Sequence, residues 1–558
     1  MDNLDHNPSS TAASDAFHGT AISVAQHGLP DDISTDSSVT HSIANFSDNT
    51  KTVTPLPVSY TQVKPVLQPK KDITVPQCAG SLSAGTDCFT RELVTEYEWL
   101  DRLSQLSVAD DTAEIHLQTQ DYSWAAYHAS RQPIDANSVS INTLLPLFRD
   151  PAHSPAMIRH AMSVVISATG MLSPGQVPVL TLDQPLYTIA KIIQWNWPDQ
   201  FGESHLLLML GGLHTEMAAL KALGDLLDGS GWTTALVNAN VTTDGRADAL
   251  LHASHVTQTR RAHQVTACAL YILQKQAYTH LVDSDSAGDR PGFADWCASQ
   301  AKVHPMFQYW SMVLRMQMTV LLFVRSIRQS DFGLYTETLQ QLIPWFFVFN
   351  RQNYSRWAAV HARDIITLAQ LHPALYEEFV QGRFTFHKTK LPFSAIALDH
   401  AHEQLNARVK GVGGAVGLTE KPDALLRWMI RGPEVARVVA EFEQTAGLLT
   451  NDDLKGHHEQ TKSQQTAFCQ HVLSLVSSFE NLGNPFMDES GDLFALDTTN
   501  ICSADAVRSV QTIESVGKQM YSDFVKEQFV ECTKPISAQI SRCKLPCLLY
   551  TSPSPRDS

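Results

Sequence analysis

At 558 residues, 43% apolar and 18% charged, the chain is long enough for three or four domains and apolar enough to bury a sizeable core. Its 41 Lys plus Arg against 57 Asp plus Glu give a net charge of −16. That balance excludes a surface that grips nucleic acid all over, though not a local basic cleft. No run reaches the ~18 apolar residues that span a bilayer, and no basic start precedes an apolar block at the N-terminus. Composition therefore points to an intracellular protein, nuclear or cytoplasmic, with no membrane partner.

Residues 1–50 hold seven Asp, fourteen Ser or Thr and no Lys or Arg. A stretch with so little to bury cannot offset its ordering entropy, so residues 1–90 are predicted to be a disordered tail and linker. Helical spacing begins at Arg91–Leu106, within a short helical lead-in over 91–150. From 151 to 448 the texture is that of one globular α/β core. Val177–Leu182 (VPVLTL) is an apolar, β-branched run that predicts a buried strand. Asp183 follows at once, and Pro185 suits the first turn of a helix carrying Leu186, Ile189 and Ile193. A second apolar run, Leu206–Leu210, ends at Gly211-Gly212, and the helix Thr215–Leu227 comes next. Strand, helix, strand, helix in about fifty residues predicts a parallel βαβ unit with a right-handed crossover.

Downstream the 3.6-residue period predicts long helices over Thr257–Tyr278, Met306–Gln329, Tyr335–Phe349, Tyr354–Leu368, Ile396–Lys410 and Asp423–Gln444. Met312–Ile327 is interrupted by Arg315 and Arg325 and reads as a buried helix. Arg383–His387 (RFTFH) alternates like one exposed strand. A helical extension occupies 449–546, with helices at Cys469–Phe479 and Ser503–Gln528. The fold class is thus helix-rich α/β, a small parallel core embedded in a large helical domain. The nine cysteines show no C-x₂-C pair, so they carry no metal or redox expectation.

Chemistry concentrates at two places. Asp183 stands at the carboxyl end of the first parallel strand and His214 just past the second, where α/β folds place their sites. The alternative is that Asp183 only caps its helix. In Ala397–Gly417, Asp399 and Glu403 are four apart and share a helix face with Asn406 and Lys410. Paired carboxylates there suit Mg²⁺ or Mn²⁺, or acid–base work, although a solvated face is the commoner fate of such charges. Lys410, Gly411, Gly413 and Gly414, leading to Thr419 at the next helix, form a candidate anion site. They do not make a Walker motif, since no G-K-[ST] closes the loop. Residues 351–440 hold twelve Lys or Arg against eight Asp or Glu. With Arg260 and Arg261, Arg408 of this region is a candidate contact for nucleic acid.

The blocks TLDQPLY (181–187), GGLHTEMAALKALGDLLDGSGW (211–232), ASHVTQTRRAHQVTA (253–267), NRQNYSRW (350–357) and FSAIALDHAHEQLNARVKGVGGAVGLTEKPDALLRWMIRGPE (393–434) resemble a large family of unassigned function. That family is multiplied in the genomes of corals, other marine invertebrates and some protists, and the resemblance covers roughly 151–546. Its copy number implies a mobile-element origin, and its D-Q…G-[LF]-H-x-x-M arrangement is similar to transposon-associated domains. The resemblance implies an RNase H-like core acting on DNA, with Asp183, Asp399 and Glu403 as metal ligands and Asp183, His214 and Glu403 as the catalytic set. Three features depart from that pattern. A helix follows the first aspartate directly, His214 stands where a carboxylate is expected, and KGVGG replaces KGDGG. An inactive, domesticated remnant, a non-enzymatic scaffold, or a phosphate- or nucleotide-binding protein using the glycine loop are the competing readings. The tail Cys547–Asp557 (CLLYTSPSPRD) resembles a translated sequencing adapter, so residues 547–558 are set aside and the polypeptide is expected to continue beyond Pro546.

Overall fold

The computed structural model describes residues 1–6, 17–27, 56–77, 82, 85–105, 121–133, 138–148, 150–284, 291–410 and 458–543. They divide between two units, each drawn from three separated stretches. Met1–Ile73, Ile134–Gly212 and Gln370–Gly456 supply the first, and Thr74–Pro133, Leu213–Ala369 and His457–Ser558 the second. The two units are thus interleaved along the chain. A unit is closed by whichever segments bury one another's surface, and those need not be consecutive.

The first unit is α/β. Strand β1 (Asp2–His6) pairs antiparallel with β2 (Phe17–Ala21), and β3 (Ser23–Gln26) pairs antiparallel with β4 (Ile141–Leu144). Residues expected to lie in a disordered tail therefore form strands. Their partners explain why composition did not reveal them. Thr20 exchanges backbone hydrogen bonds with Phe148 at 2.9 and 3.1 Å, and Ala21 and Ile22 are buried. The backbone groups of a polar segment are thus satisfied by chain more than a hundred positions away.

Strand β5 (Val179–Leu182) pairs parallel with β6 (Leu207–Leu210), Leu180 opposite Leu208 and Leu182 opposite Leu210. The helix Gln184–Asn196 connects them, so the βαβ unit is present as the apolar runs required. Among the described residues the strands form three separate two-stranded sheets. Arg383–His387 is not the exposed strand its alternation predicted. Phe386 makes one isolated antiparallel bridge to Ile396, and Phe384, Thr385, Phe386 and His387 are all buried.

The second unit is built of helices, including Asp87–Ser104, Gly212–Leu227, Val256–Ser284, Pro305–Arg328, Phe332–Val348, Gln352–Ile366, Lys462–Leu482 and Ala504–Val525. Their bounds lie within a few residues of the periodic stretches, except that Val256–Ser284 and Lys462–Leu482 run longer. Pro305–Arg328 is buried almost all round, with Trp310 and Phe323 at its centre. Its Arg325 is tolerated there because Glu92 and Glu96 of the helix Asp87–Ser104 bind its guanidinium. Trp124 also donates to Glu96, at 3.0 Å. Among the described residues no helix is long and apolar enough to cross a membrane.

Candidate functional site: carboxylates at the ends of the parallel strands

Asp183 leaves β5 with φ −64° and ψ 167°, outside the helix that follows, and its carboxylate accepts the Leu186 amide at 3.1 Å. It is a helix cap, the role sequence offered as the alternative, and Pro185 in the first turn needs no such partner. One strand over, the Gly211 amide donates to the Leu182 carbonyl at 2.8 Å, extending the parallel ladder by one step. The bare Cα of Gly211 then receives a third element. Asp399, in the first turn of the helix Leu398–Lys410, packs its carboxylate directly on Gly211.

That helix lies against β1 and β5. Its i, i+3, i+4, i+7 face carries Asp399, His402, Glu403 and Asn406. Asp399, His402 and Asn406 are buried and Glu403 is half-buried. The α-ammonium of Met1, at the start of β1, donates to the Thr181 carbonyl at 3.3 Å. Burial lowers its pKa, while Asp2, Asp183, Asp399 and Glu403 each act electrostatically to raise it. Asp183 at the end of β5 and the helix carrying Asp399 and Glu403, far apart in sequence, are thus brought to the same strand ends of the first unit.

Two further groups at this face were not singled out as site residues from the sequence. His402 is 3% exposed; its Nδ1 lies 2.7 Å from Ser23 Oγ and its Nε2 has no hydrogen-bond partner. Burial, and then the charge of the Met1 ammonium, hold the imidazole well below its usual range, so it is neutral. Asn406 is 1% exposed with Oδ1 and Nδ2 both unpaired. Helical spacing from Asp399 was the available signal, and only for Asn406 was it used.

Among the described residues, no three of His, Cys, Asp and Glu stand so that they could hold a metal ion. His214 sits half-buried in the first turn of Gly212–Leu227 and belongs to the second unit.

The basic residues proposed for nucleic acid are placed differently from expectation. Arg260 is 7% exposed, and its Nε and Nη2 donate to the two carboxylate oxygens of Glu216, both at 2.7 Å. The pair is closed inside the protein, so Arg260 is turned to Glu216 and not to a solvent-facing phosphate. Arg261 is half-buried with its guanidinium 5.5 Å from the Phe468 ring centre. Of the nearby histidines, His252 and His255 are exposed while His263 is buried and stacked on Trp232. Arg408 and Lys410 end the helix Leu398–Lys410, with side chains outside the described residues. Gly411, Gly413, Gly414 and Thr419 also lie outside them, as does the predicted helix Asp423–Gln444.

None of the curated proteins and none of the solved structures matches the chain. One family model does, a domain of unknown function (DUF8702), over residues 123–288 and 291–543. Since that match takes in well over half of the sequence and segments of both units, the chain belongs to the DUF8702 family.

Proposed function

We propose that the protein is transposon-derived and that its α/β unit is an RNase H-like core for Mg²⁺- or Mn²⁺-dependent phosphodiester chemistry on DNA. Asp183 would stand at the strand end, and Asp399 and Glu403 on the helix. The observation that supports this reading is that the helix carrying Asp399 and Glu403 packs against β5, with Asp399 on Gly211 just past β6, at the strand ends where Asp183 stands. Three hard oxygen donors suit such dications in kind. When bound, a dication would activate water and stabilise the leaving oxygen. The residues as they stand match the charge of such an ion and not its geometry, so they account for attracting a cation and not for a two-metal step.

The second reading, a non-enzymatic interaction protein, is favoured by a different observation. Asp183 already spends its carboxylate on the Leu186 amide, and Asp399 is packed on Gly211. In that case the carboxylates organise the strand ends and do no chemistry.

Cleavage of supercoiled DNA with Mg²⁺ or Mn²⁺ separates the two. Asp183→Asn keeps a capping oxygen while removing the charge, whereas Asp183→Ala removes both, at a cost of about 0.5–2 kcal/mol in stability. The nuclease reading expects wild-type cleavage and its loss, by a hundredfold or more, in Asp183→Asn and Glu403→Gln alike. Activity that survives both substitutions, or no activity in the wild type, rejects it in favour of the second reading.

A further inference from the structure

Three segments of the first unit, far apart in sequence, meet on one serine. Ser140 is buried and stands just before β4. Its Oγ lies 3.1 Å from Nδ1 of His27, the half-buried residue that follows β3, and accepts the His387 amide at 3.2 Å. The Ser140 amide in turn donates to the His387 carbonyl at 2.7 Å. This residue therefore ties the end of one strand and the start of its antiparallel partner to the segment 383–387. Phe386 carries the connection onward, since its backbone exchanges hydrogen bonds with Ile396 at 2.8 and 2.9 Å, shortly before the helix Leu398–Lys410.

The charges at this junction balance only while its histidines are neutral. His27 faces the guanidinium of Arg383, which is paired with Glu378. His387 is buried, with Nε2 3.5 Å from Thr385 Oγ1, and the titratable group it faces is His27. Two imidazolium ions beside Arg383 would set three positive groups against one carboxylate, Glu378, in a place largely shielded from water. A neutral His27 avoids this, and its Nδ1 can take the Ser140 hydroxyl proton while Ser140 Oγ still accepts the His387 amide. Burial comes first in holding both imidazoles below their usual range. Arg383 adds to it at His27, with Glu378 opposing, and His27 adds to it at His387, whose pKa falls to about 4.

We infer that His27 and His387, closing on Ser140, form a pH-sensitive clasp that fastens the β3–β4 ribbon to the segment 383–387 and releases it on acidification. A released histidine titrates near 6.5, so below that value the open form binds the extra protons. The clasp is complete above about pH 6.5 and weakens toward about pH 4. Each histidine that gains a proton on opening raises the opening equilibrium by up to about tenfold per pH unit. Because Phe386 pairs with Ile396, opening also loosens the entry to the helix that carries Asp399 and Glu403. The device needs neither metal nor DNA, so it goes beyond the phosphodiester reading and does not fall with it.

Hydrogen exchange of the full chain, followed by mass spectrometry at pH 7 and pH 5 and corrected for the intrinsic rate at each pH, is the test. Peptides from 20–27, 138–148 and 383–397 should lose about tenfold or more of their protection at pH 5, while those from β5 and β6 keep theirs. Unchanged protection in the first group overturns the inference. So does an equal loss in β5 and β6, because the unit then opens as a whole and not at a clasp. The double replacement His27→Gln with His387→Gln keeps hydrogen-bonding groups that cannot titrate, and its protection in those peptides should be the same at both pH values. A loss as large as that of the wild type overturns the inference, and the wild-type comparison decides by itself if the double variant does not fold.

Discussion

Gly211 and Asp399 touch so closely that residue 211 has no room for a side chain: a Cβ built there would overlap Asp399 Oδ2 and lie 2.8 Å from its Cγ. This contact seats the helix Leu398–Lys410 at the carboxyl end of β6. Gly211→Ala must push the carboxylate or the strand aside, and overpacking of this kind costs about 1–3 kcal/mol. Urea unfolding should show a lower midpoint with an unchanged slope. A midpoint equal to that of the wild type would mean the contact is not made.

Arg260 and Glu216 make the second test. Both are buried, and a guanidinium left without its carboxylate is an uncompensated charge in a low dielectric. Glu216→Ala and Arg260→Ala should each destabilise the chain by about 3–5 kcal/mol, while the double replacement Glu216→Leu with Arg260→Met recovers much of that loss. Arg260→Lys should not rescue, because a lysine cannot reproduce the two parallel hydrogen bonds. The same thermal or urea melts decide the matter. Arg260 variants that melt like the wild type but bind DNA less well would return this residue to a nucleic-acid surface.

His263 sets a pH dependence in the helical unit. It is buried, stacked on Trp232, and within 3.1 Å of Gln317 through Nδ1. Burial lowers its pKa to about 3, whereas an unfolded histidine titrates near 6.5. Between those values the unfolded chain binds the extra proton, so stability falls as pH drops from about 6.5 toward 3 and is complete above that window. One such group contributes a slope of up to about 1.4 kcal/mol per pH unit. His263→Gln should be less stable at pH 7 yet lose less between pH 7 and pH 5 than the wild type. An identical loss in both proteins over that interval would show that His263 does not titrate on unfolding.

Helices were legible in the sequence because their signal is local. The apolar stripes of Met306–Gln329 and Tyr335–Phe349 repeat every 3.6 residues, and each helix satisfies its own backbone. The observed Pro305–Arg328 and Phe332–Val348 differ from them only at the ends. The parallel pair β5 and β6 was legible for a related reason, since strands buried on both faces read as continuous apolar runs. β1 to β3 were not, because a polar strand is defined by the partner that takes its hydrogen bonds. Those partners lie within 141–148 for β2 and β3. RFTFH shows the converse case, in which a local alternation lacked a neighbouring strand to pair with along its length.

At the strand ends, the sequence by itself determined the residue types, the four-residue spacing of Asp399 and Glu403, and the position of Asp183 after β5. Those follow from periodicity, which needs no knowledge of the rest of the chain. Tertiary structure alone decided that Asp399 packs on Gly211, that His402 and Asn406 are buried on the same helix face, and that Arg260 is locked to Glu216 inside the protein. Each of those depends on which distant segment removes a charge from water, a quantity fixed by packing across tens to hundreds of positions and invisible to any local pattern.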